Sequence, residues 1–457
     1  DDGASASTSV TRRPYLGATT PVRVGDELTF QERLVLGWGF SKWRLQPADG
    51  TADGVFQPQD TRTEAPAAVD GDVRIAAFNV LNYFLTWSGD AARGATSAEQ
   101  FGRQAAKTVA AISGLDADVV TLLEVEDTDS TGYTPGNADT AVADLVARLN
   151  ARAGNESGEP EWAYVPLPAE LYAVERDVIR NAIIYRPARV TPVGAPVGLV
   201  DETVWANARE PIAQTFVAED DVFTVVANHF KSKSPGNPTG DNVDTGDGQG
   251  EWNGDRVRQA QSLASFARRL QATTEDDDVV LLGDFNAYTQ EDPIQALRSA
   301  GWTDLGDALD PGRYSYVFDA LSGSLDHALA SEALTAKVTD VTHWNINAVE
   351  SFAYQYTGDR ALYEASPYRS SDHDPLLLGL DLQAPQPQDH PCDGRVPTIL
   401  GTNGADVLRG TDRVDVVVAL GGDDEVRGLA SGDDRLVGGL GADDLRQGKG
   451  SGPVVPD

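Results

Sequence analysis

Several short segments, each beside an apolar run, hold residue types that can do acid, base or cation chemistry. The sharpest is Gly283-Asp284-Phe285-Asn286, directly after Val279-Val280-Leu281-Leu282. Strand side chains alternate with period two, so Asp284 and Asn286 point the same way and could hold a water or a phosphate oxygen between an acceptor and a donor. A plain Asx turn accounts for that tetrapeptide equally well. Ser371-Asp372-His373-Asp374-Pro375 precedes Leu376–Leu378 and offers an imidazole between carboxylates, a general acid or base near neutral pH. Ser324-Leu325-Asp326-His327 leads into Ala328–Ala330. Val225–Ala227 runs into Asn228-His229-Phe230-Lys231-Ser232-Lys233. Asn79 sits within Phe78–Asn82; a buried amide needs partners, so it is either a core hydrogen-bonding residue or an exit to a site. Glu124 closes the run from Asp118 to Leu123, a costly place for a carboxylate unless it is paired or bound to a cation.

The elements that must position these residues read as α/β. Short apolar runs recur at Val73–Val80, Val119–Leu123, Ala182–Tyr185, Val222–Ala227, Val279–Leu282, Ala328–Ala330 and Leu376–Leu378. Helical spacing predicts Ala98–Ile112, with Phe101, Ala105, Val109 and Ile112 on one face, and further helices over Thr140–Ala151 and Arg256–Leu270. Buried strands alternating with amphipathic helices make a layered domain over 73–382, large enough for two packed sheets. Before it, residues 1–58 hold short β-like runs broken by Gly, a small β module, and 59–72 read as a linker.

Taken in chain order, Asn79, Glu124, His229, Asp284 with Asn286, Asp326 and Asp372-His373 resemble the endonuclease/exonuclease/phosphatase superfamily. The resemblance covers about 73–382. With the β module before it and an extension after it, the chain looks most like the bacterial ExeM/NucH-type extracellular endonucleases, which carry an OB-like segment ahead of the nuclease domain; the one here is short enough to be partial. The fold implied is a four-layer α/β sandwich of the DNase-I-like type, two packed β-sheets flanked by helices.

The resemblance also implies roles. Glu124 would be the main Mg²⁺ (or Mn²⁺) ligand, with Asn79 beside it and Asp372 near the same or a second metal position. Asp284 would orient or deprotonate the attacking water, and Asn286 would hydrogen-bond a phosphate oxygen. His373 would face the phosphate with Asp326 on its other nitrogen, and His229 would stand opposite. Arg180, Lys231 and Lys233 are phosphate-contact candidates; the two lysines are among only six in the chain. His327, His343 and His390 are expected to be structural. Phosphodiester hydrolysis does need a hard cation on oxygen ligands, a positioned water and donors for developing charge.

After a Pro- and Gln-rich linker, 383–397, Asp-x-apolar recurs at Asp406, Asp415, Asp424, Asp434 and Asp443 in steps of 9, 9, 10 and 9 residues. Gly438-Gly439-Leu440-Gly441-Ala442-Asp443-Asp444-Leu445 resembles the hemolysin-type (RTX) nonapeptide. The resemblance implies a short parallel β-roll over 398–449, with Ca²⁺ on Asp406, Asp424, Asp434 and Asp443. The copy around Asp415 lacks the glycine.

Composition sets the limits. The chain has 457 residues, 71 acidic against 36 basic, and a formal charge of −35. No apolar run approaches the roughly 20 residues that span a bilayer. The single Cys392 excludes an intrachain disulfide. The absence of Met points to a processed product, and a removed secretory signal would agree with an extracellular, or cell-surface, location. From Pro391 onward there are only 12 acidic and 7 basic residues, so the acidity lies mostly elsewhere. Such a surface excludes tight, metal-free binding of a polyanion but not a metal-assisted nuclease. The expected partners are therefore divalent cations and a nucleic-acid substrate, DNA before RNA, with no protein partner evident. The alternatives are a phosphatase or phosphodiesterase on phospholipid head groups or inositol phosphates, and a calcium-dependent surface protein with an inactive nuclease fold.

Overall fold

The computed structural model describes residues 16–48 except 19, 28, 32 and 40, and residues 61–382 except 155–159, 219–220 and 320. It also describes 395–455 except 403–404, 412, 421, 423, 429–433, 440 and 449–451. The linker residues 383–394, with His390 and Cys392, lie outside the described residues. The chain divides into two compact units, Asp1–Leu382 and Gln383–Asp457.

The first unit opens with a hairpin, β1 (Leu34–Gly39) and β2 (Lys42–Pro47). There follow β3 (Val73–Tyr83), β4 (Val119–Glu126), β5 (Ala163–Tyr164), β6 (Ile179–Tyr185), β7 (Thr191–Gly198), β8 (Arg209–Ala218), β9 (Asp221–His229) and β10 (Val279–Asp284). Then come β11 (Thr303–Asp304), β12 (Tyr316–Phe318), β13 (Leu321–Gly323), β14 (Asp326–Ala330), β15 (Val338–His343) and β16 (Leu376–Leu380). Two six-stranded sheets result, β15-β16-β3-β4-β6-β5 and β11-β14-β10-β9-β8-β7.

Alternation dictates how they pack. One face of each sheet meets the other through Ile75, Ala77, Val225, Ala227, Leu282, Ala328 and Leu376. The opposite face of the first sheet, with Phe78, Val120 and Leu122, is covered by helices Ala98–Leu115 and Thr140–Ala153. That of the second, with Val226, Leu281 and Leu329, is covered by Asn253–Thr274 and Asp292–Ser299. The fold is a four-layer α/β sandwich. Helix Ala98–Leu115 starts where it does because the Ser97 side chain accepts from Gln100 N, satisfying a donor that the first turn leaves open.

Continuing the inter-sheet alternation by one step beyond the apolar residues reaches the polar ones. Val225 and Ala227 lead to His229, Val280 and Leu282 to Asp284, Ala330 and Ala328 back to Asp326, and Ile75 and Ala77 to Asn79. The same pleat that builds the core therefore aims these side chains into the seam between the sheets.

Two expectations need correction. Residues 61–72 are no free linker: Arg62 makes a two-pronged contact with the buried carboxylate of Glu350, at 2.9 and 2.7 Å, and Trp344 Nε1 donates to Thr63. The apolar runs also missed β7, β8 and β15. Strand β8 is buried yet carries Glu210, Pro211, Gln214 and Thr215; Gln214 Nε2 donates to the Thr215 carbonyl at 2.7 Å, and the Thr215 and Thr224 hydroxyls lie 2.9 Å apart. Among the described residues the N-terminal module is the single β1–β2 hairpin.

The second unit is a parallel β-roll. Strands β17 (Ile399–Leu400), β19 (Val416–Val418), β21 (Arg435–Val437) and β23 (Val454–Val455) form one sheet. Strands β18 (Val407–Arg409), β20 (Glu425–Arg427) and β22 (Asp444–Arg446) form the other. Val417, Ala419, Val426 and Leu436 fill the space between. The rung that lacks glycine forms too: Thr411 donates its amide and hydroxyl to Asp415 Oδ2, at 2.6 and 2.9 Å.

Candidate active site

Strand register places three of the polar residues in one row. Strands β9 and β10 pair in parallel with Asp284 opposite His229, and β10 and β14 pair antiparallel with Asp284 opposite Asp326. Gly283, between them in the chain, has φ of +145°, and a Cβ there would meet the Asn228 carbonyl oxygen at 2.0 Å. Only glycine permits the close passage that brings Asp284 into the row.

The facing sheet supplies the rest. Asn79 Nδ2 lies 3.3 Å from Glu124 Oε1 and 3.3 Å from Asp284 Oδ2, joining the two sheets across the seam. Glu124 stands at a break in the β4–β6 register, with φ of +64°, and its Oε2 accepts from Asn82 N at 3.0 Å. A left-handed glutamate costs about 1–3 kcal/mol, held here by the surrounding bonds. Burial raises its pKa, and the neighbouring Asp372 raises it further.

His373 completes the group from the loop before β16. Its Nδ1 is 2.7 Å from Asp326 Oδ2, its Nε2 is 3.8 Å from Asp284 Oδ2, and the Tyr316 ring lies 4.6 Å from its own. Burial opposes a charged imidazole, but Asp326 and Asp284 outweigh it and hold the His373 pKa well above the ordinary value. His229 differs. Burial, then the charge of Arg209, pushes it well below the ordinary value, so it is neutral, with Nε2 3.5 Å from Asp284 Oδ2. Burial pushes Asp284 itself up to about 7, against the pull of His373.

The His373 loop is held by a second set of bonds. Asn347 Oδ1 accepts from Ser370 N and Ser371 N, at 2.8 and 3.2 Å, and its Nδ2 donates to the His373 carbonyl at 2.7 Å. Asp374 accepts from Asn345 Nδ2, Asn347 N and Ala348 N. Ser371 Oγ donates to the Asn79 carbonyl at 2.6 Å, tying this loop to β3. Asn286 N donates to Asp284 Oδ1 at 2.8 Å, and Asn286 Nδ2 to the Phe230 carbonyl at 3.2 Å, leaving its second amide hydrogen for a ligand.

The structure thus brings together Asn79, Glu124, His229, Asp284, Asn286, Asp326, Asp372 and His373. It does not bring Arg180 with them. Arg180 shares the parity of Ala182 and Ile184, whose side chains face the helices, and its Nη1 is 2.6 Å from Asp139. Lys233 is near, but its ammonium lies 2.5 and 2.7 Å from the Glu291 carboxylate oxygens, so it is no free cation. Lys231 is half-exposed over the Trp252 ring, 4.8 Å from its centre. His327 and His343 are structural, held by Asp304 and Asp310 at 3.3 and 3.0 Å.

Two residues escaped the sequence. Arg209 opens β8 directly opposite His229, and its charge acts on both His229 and Glu124. Asn181, one residue past Arg180, has the inter-sheet parity, and its Nδ2 donates to the Glu210 carbonyl at 2.9 Å. The signal available was an arginine at the head of a strand, hidden because β8 itself did not read as one.

The residues fit a divalent cation. Glu124 and Asp372 are half-buried carboxylates, and the charge of Asp372 disfavours that of Glu124, an arrangement that a cation relieves. Asn79 Oδ1 accepts from Leu81 N at 3.0 Å and has a second lone pair to offer. The oxygens and nitrogens of Asp284, Asp326 and His373 also lie within 4.8 Å of one another, but the 2.7 Å contact between His373 and Asp326 already uses two of those atoms.

A family model described as "Endonuclease/Exonuclease/phosphatase family" matches residues 76–373, more than half of the chain. No curated protein matches it. Among solved structures, the human Nocturnin catalytic domain with bound sulfate is 18% identical, with a TM-score of 0.41, covering 68% of this chain and 95% of that one. A humanized D. rerio TDP2 is 14% identical with a TM-score of 0.42, covering 67% and 97%. The Bacteroides thetaiotaomicron mannosyl-6-phosphatase is 17% identical with a TM-score of 0.42, covering 67% and 99%. At such identities and scores, none of them indicates the substrate of this chain.

Proposed function

Because the chain belongs to the endonuclease/exonuclease/phosphatase family, we propose that its first unit is a metal-dependent phosphodiesterase acting on nucleic acid, most simply an extracellular DNase of the ExeM type. The observation that carries this reading is the charged His373, held on Asp326, facing Asp284 across the seam. It pairs a hydrogen-bond donor for a phosphate oxygen with a carboxylate that accepts a proton near neutral pH.

In this reading Asp284 holds a water between itself and the phosphate. The water oxygen bonds to phosphorus, its proton passes to Asp284, and the ester P–O bond breaks with its electron pair left on the departing oxygen. His373 and the free amide hydrogen of Asn286 donate to the phosphate oxygens. Arg209, ion-paired with Asp177 at 3.2 Å, stands beside neutral His229. A divalent cation held by Glu124, Asp372 and Asn79 would supply charge for the developing oxyanions when bound.

The test uses the full chain with plasmid DNA, with single-stranded DNA and with RNA, in Mg²⁺ and in EDTA. Metal-dependent cleavage of the nucleic acids is expected, and no cleavage under any condition sinks the reading. A second reading, hydrolysis of phospholipid head groups, is favoured by the exposed apolar pair Phe318 and Leu321 on the β12–β13 hairpin, 65% and 74% exposed. Release of phosphocholine from sphingomyelin vesicles would support it.

For the second unit the proposal is calcium binding by RTX-like repeats. Asp434 and Asp443 each have a buried Oδ2 without a hydrogen-bond partner, the oxygen a cation would take. In Asp406 the corresponding oxygen accepts from the amide and hydroxyl of Thr402, at 2.6 and 3.1 Å, so that rung has less to offer than its sequence promised. A melt of the full chain that gains no stability on adding Ca²⁺ would remove this part.

A further inference from the structure

A cavity of about 380 Å³ opens beside the catalytic group, with Asn286 and His373 in its wall. A phosphate held by those two residues therefore has the cavity next to it. Tyr288, Tyr316, Phe318 and Leu325 supply its aromatic and apolar wall, with Ser232, Ser234, Pro235 and two glycines also lining it. The β12–β13 hairpin frames it and is fixed at its base. Tyr316 packs on the His373 ring, and Gly323 sits so close to Tyr288 that a Cβ there would meet the ring at 2.6 Å. Its outer end presents Phe318, 65% exposed, to solvent.

Charge narrows what can enter. The one lysine in the wall, Lys233, is neutralised by Glu291, also in the wall. Beyond the phosphate-facing His373 the cavity has no net charge, so it does not suit a second phosphate or an acidic group. Its volume lies at the small end of ligand pockets, about 300–1,000 Å³. Flat aromatic walls in a neutral, open pocket fit an uncharged heterocycle, which gains by stacking and covers exposed ring surface.

We propose that this cavity is a subsite for one unstacked nucleobase, carried by the nucleotide next to the scissile phosphate. The proposal rests on the nucleic-acid reading above and deepens it. A base within a duplex is stacked on both sides and cannot reach the wall without being extruded. The site therefore works on single-stranded or locally opened nucleic acid in preference to intact duplex.

The experiment measures kcat/KM of the full chain in Mg²⁺ on three 20-nucleotide substrates: oligo-dT, the same oligo-dT hybridised to oligo-dA, and an all-abasic chain of equal length. Single-stranded oligo-dT is expected to exceed both others by about tenfold, the contribution of roughly one stacked base. Phe318→Ala, at an exposed position, is expected to remove most of that advantage, leave the abasic rate within about twofold and leave the melting temperature unchanged. Equal rates on oligo-dT and abasic chains, or an equal loss on both in Phe318→Ala, overturn the subsite alone. Hydrolysis of none of the three, nor of an RNA 20-mer, overturns the nucleic-acid reading and the subsite with it. Loss of sphingomyelin-vesicle binding in Phe318→Ala, with oligonucleotide rates unchanged, would assign the hairpin to lipid instead.

Discussion

His373 Nδ1 lies 2.7 Å from Asp326 Oδ2, a buried contact between residues 47 apart in sequence and carried by different sheets. It leaves Nε2 of His373 toward Asp284 and stabilises the imidazolium. Asp326→Asn should keep the shape and lose the charge, lowering kcat by about 10²–10⁴-fold, the usual range for an oriented acid or base. His373→Ala should fall at least as far. Near-native turnover of a DNA substrate by either variant would refute the assignment.

The acid side of the pH–rate profile should report Asp284. Its carboxyl is pushed up to about 7, and the water-activating form is the ionised one, so kcat/KM rises with pH through about 7 and then levels. A cation beside Glu124 favours the ionised form, so raising Mg²⁺ should carry the inflection downward. A profile flat from pH 5 to 8 at low Mg²⁺ contradicts this.

Glu124→Gln tests the cation site apart from the proton chemistry. The half-saturating Mg²⁺ concentration should rise by at least about tenfold, with part of kcat recovered at high metal. Unchanged Mg²⁺ dependence would move the cation elsewhere.

Arg209 and Arg180 should separate cleanly. Arg209→Ala removes charge beside His229 and should lower kcat/KM by about 10–100-fold. Arg180→Met strands Asp139 and should cost stability, about 3–5 kcal/mol for one partner of a buried pair. Its activity per folded molecule should be retained. The paired measurement is a denaturant melt with an activity assay on each variant.

Lys107 offers a stability test far from the chemistry. Burial first, then Arg62, lowers its pKa to about 8, and its Nζ donates to the Tyr368 carbonyl at 2.8 Å. Between about pH 8 and 10.5 the unfolded chain binds the extra proton, so stability rises with pH across that window. Lys107→Met should abolish that rise, worth up to about 3 kcal/mol. Parallel melts from pH 7 to 10 decide it.

Much of this site was legible because its residues stand at the ends of apolar strands, where a core run stops and a polar type follows. Asp284 after Val279–Leu282 is the clearest case. Partners distant in sequence were not legible. Lys233 reads as a free cation until Glu291, 58 residues on, is seen against it. Arg180 was one residue from the right parity, and only the register of β6 shows that Asn181 faces the seam. Strand β8 hid Arg209 because its buried polar residues break the apolar pattern. The hairpin that presents Phe318 is too short for any period to reveal.

Strand β16 lies between β15 and β3, pairing Leu376–Leu380 near the end of the first unit with Val73–Ala77, and Ser371 clasps Asn79 across 292 positions of chain. The imidazole therefore joins its carboxylates only when β16 pairs with β3, a contact between segments far apart in the chain. A chain that ends just before residue 373 holds Asp284 and Asp326 but not His373. On the roles proposed above, loss of the short stretch from Ser371 to Leu380 should abolish turnover, which a truncation series with an activity assay would check.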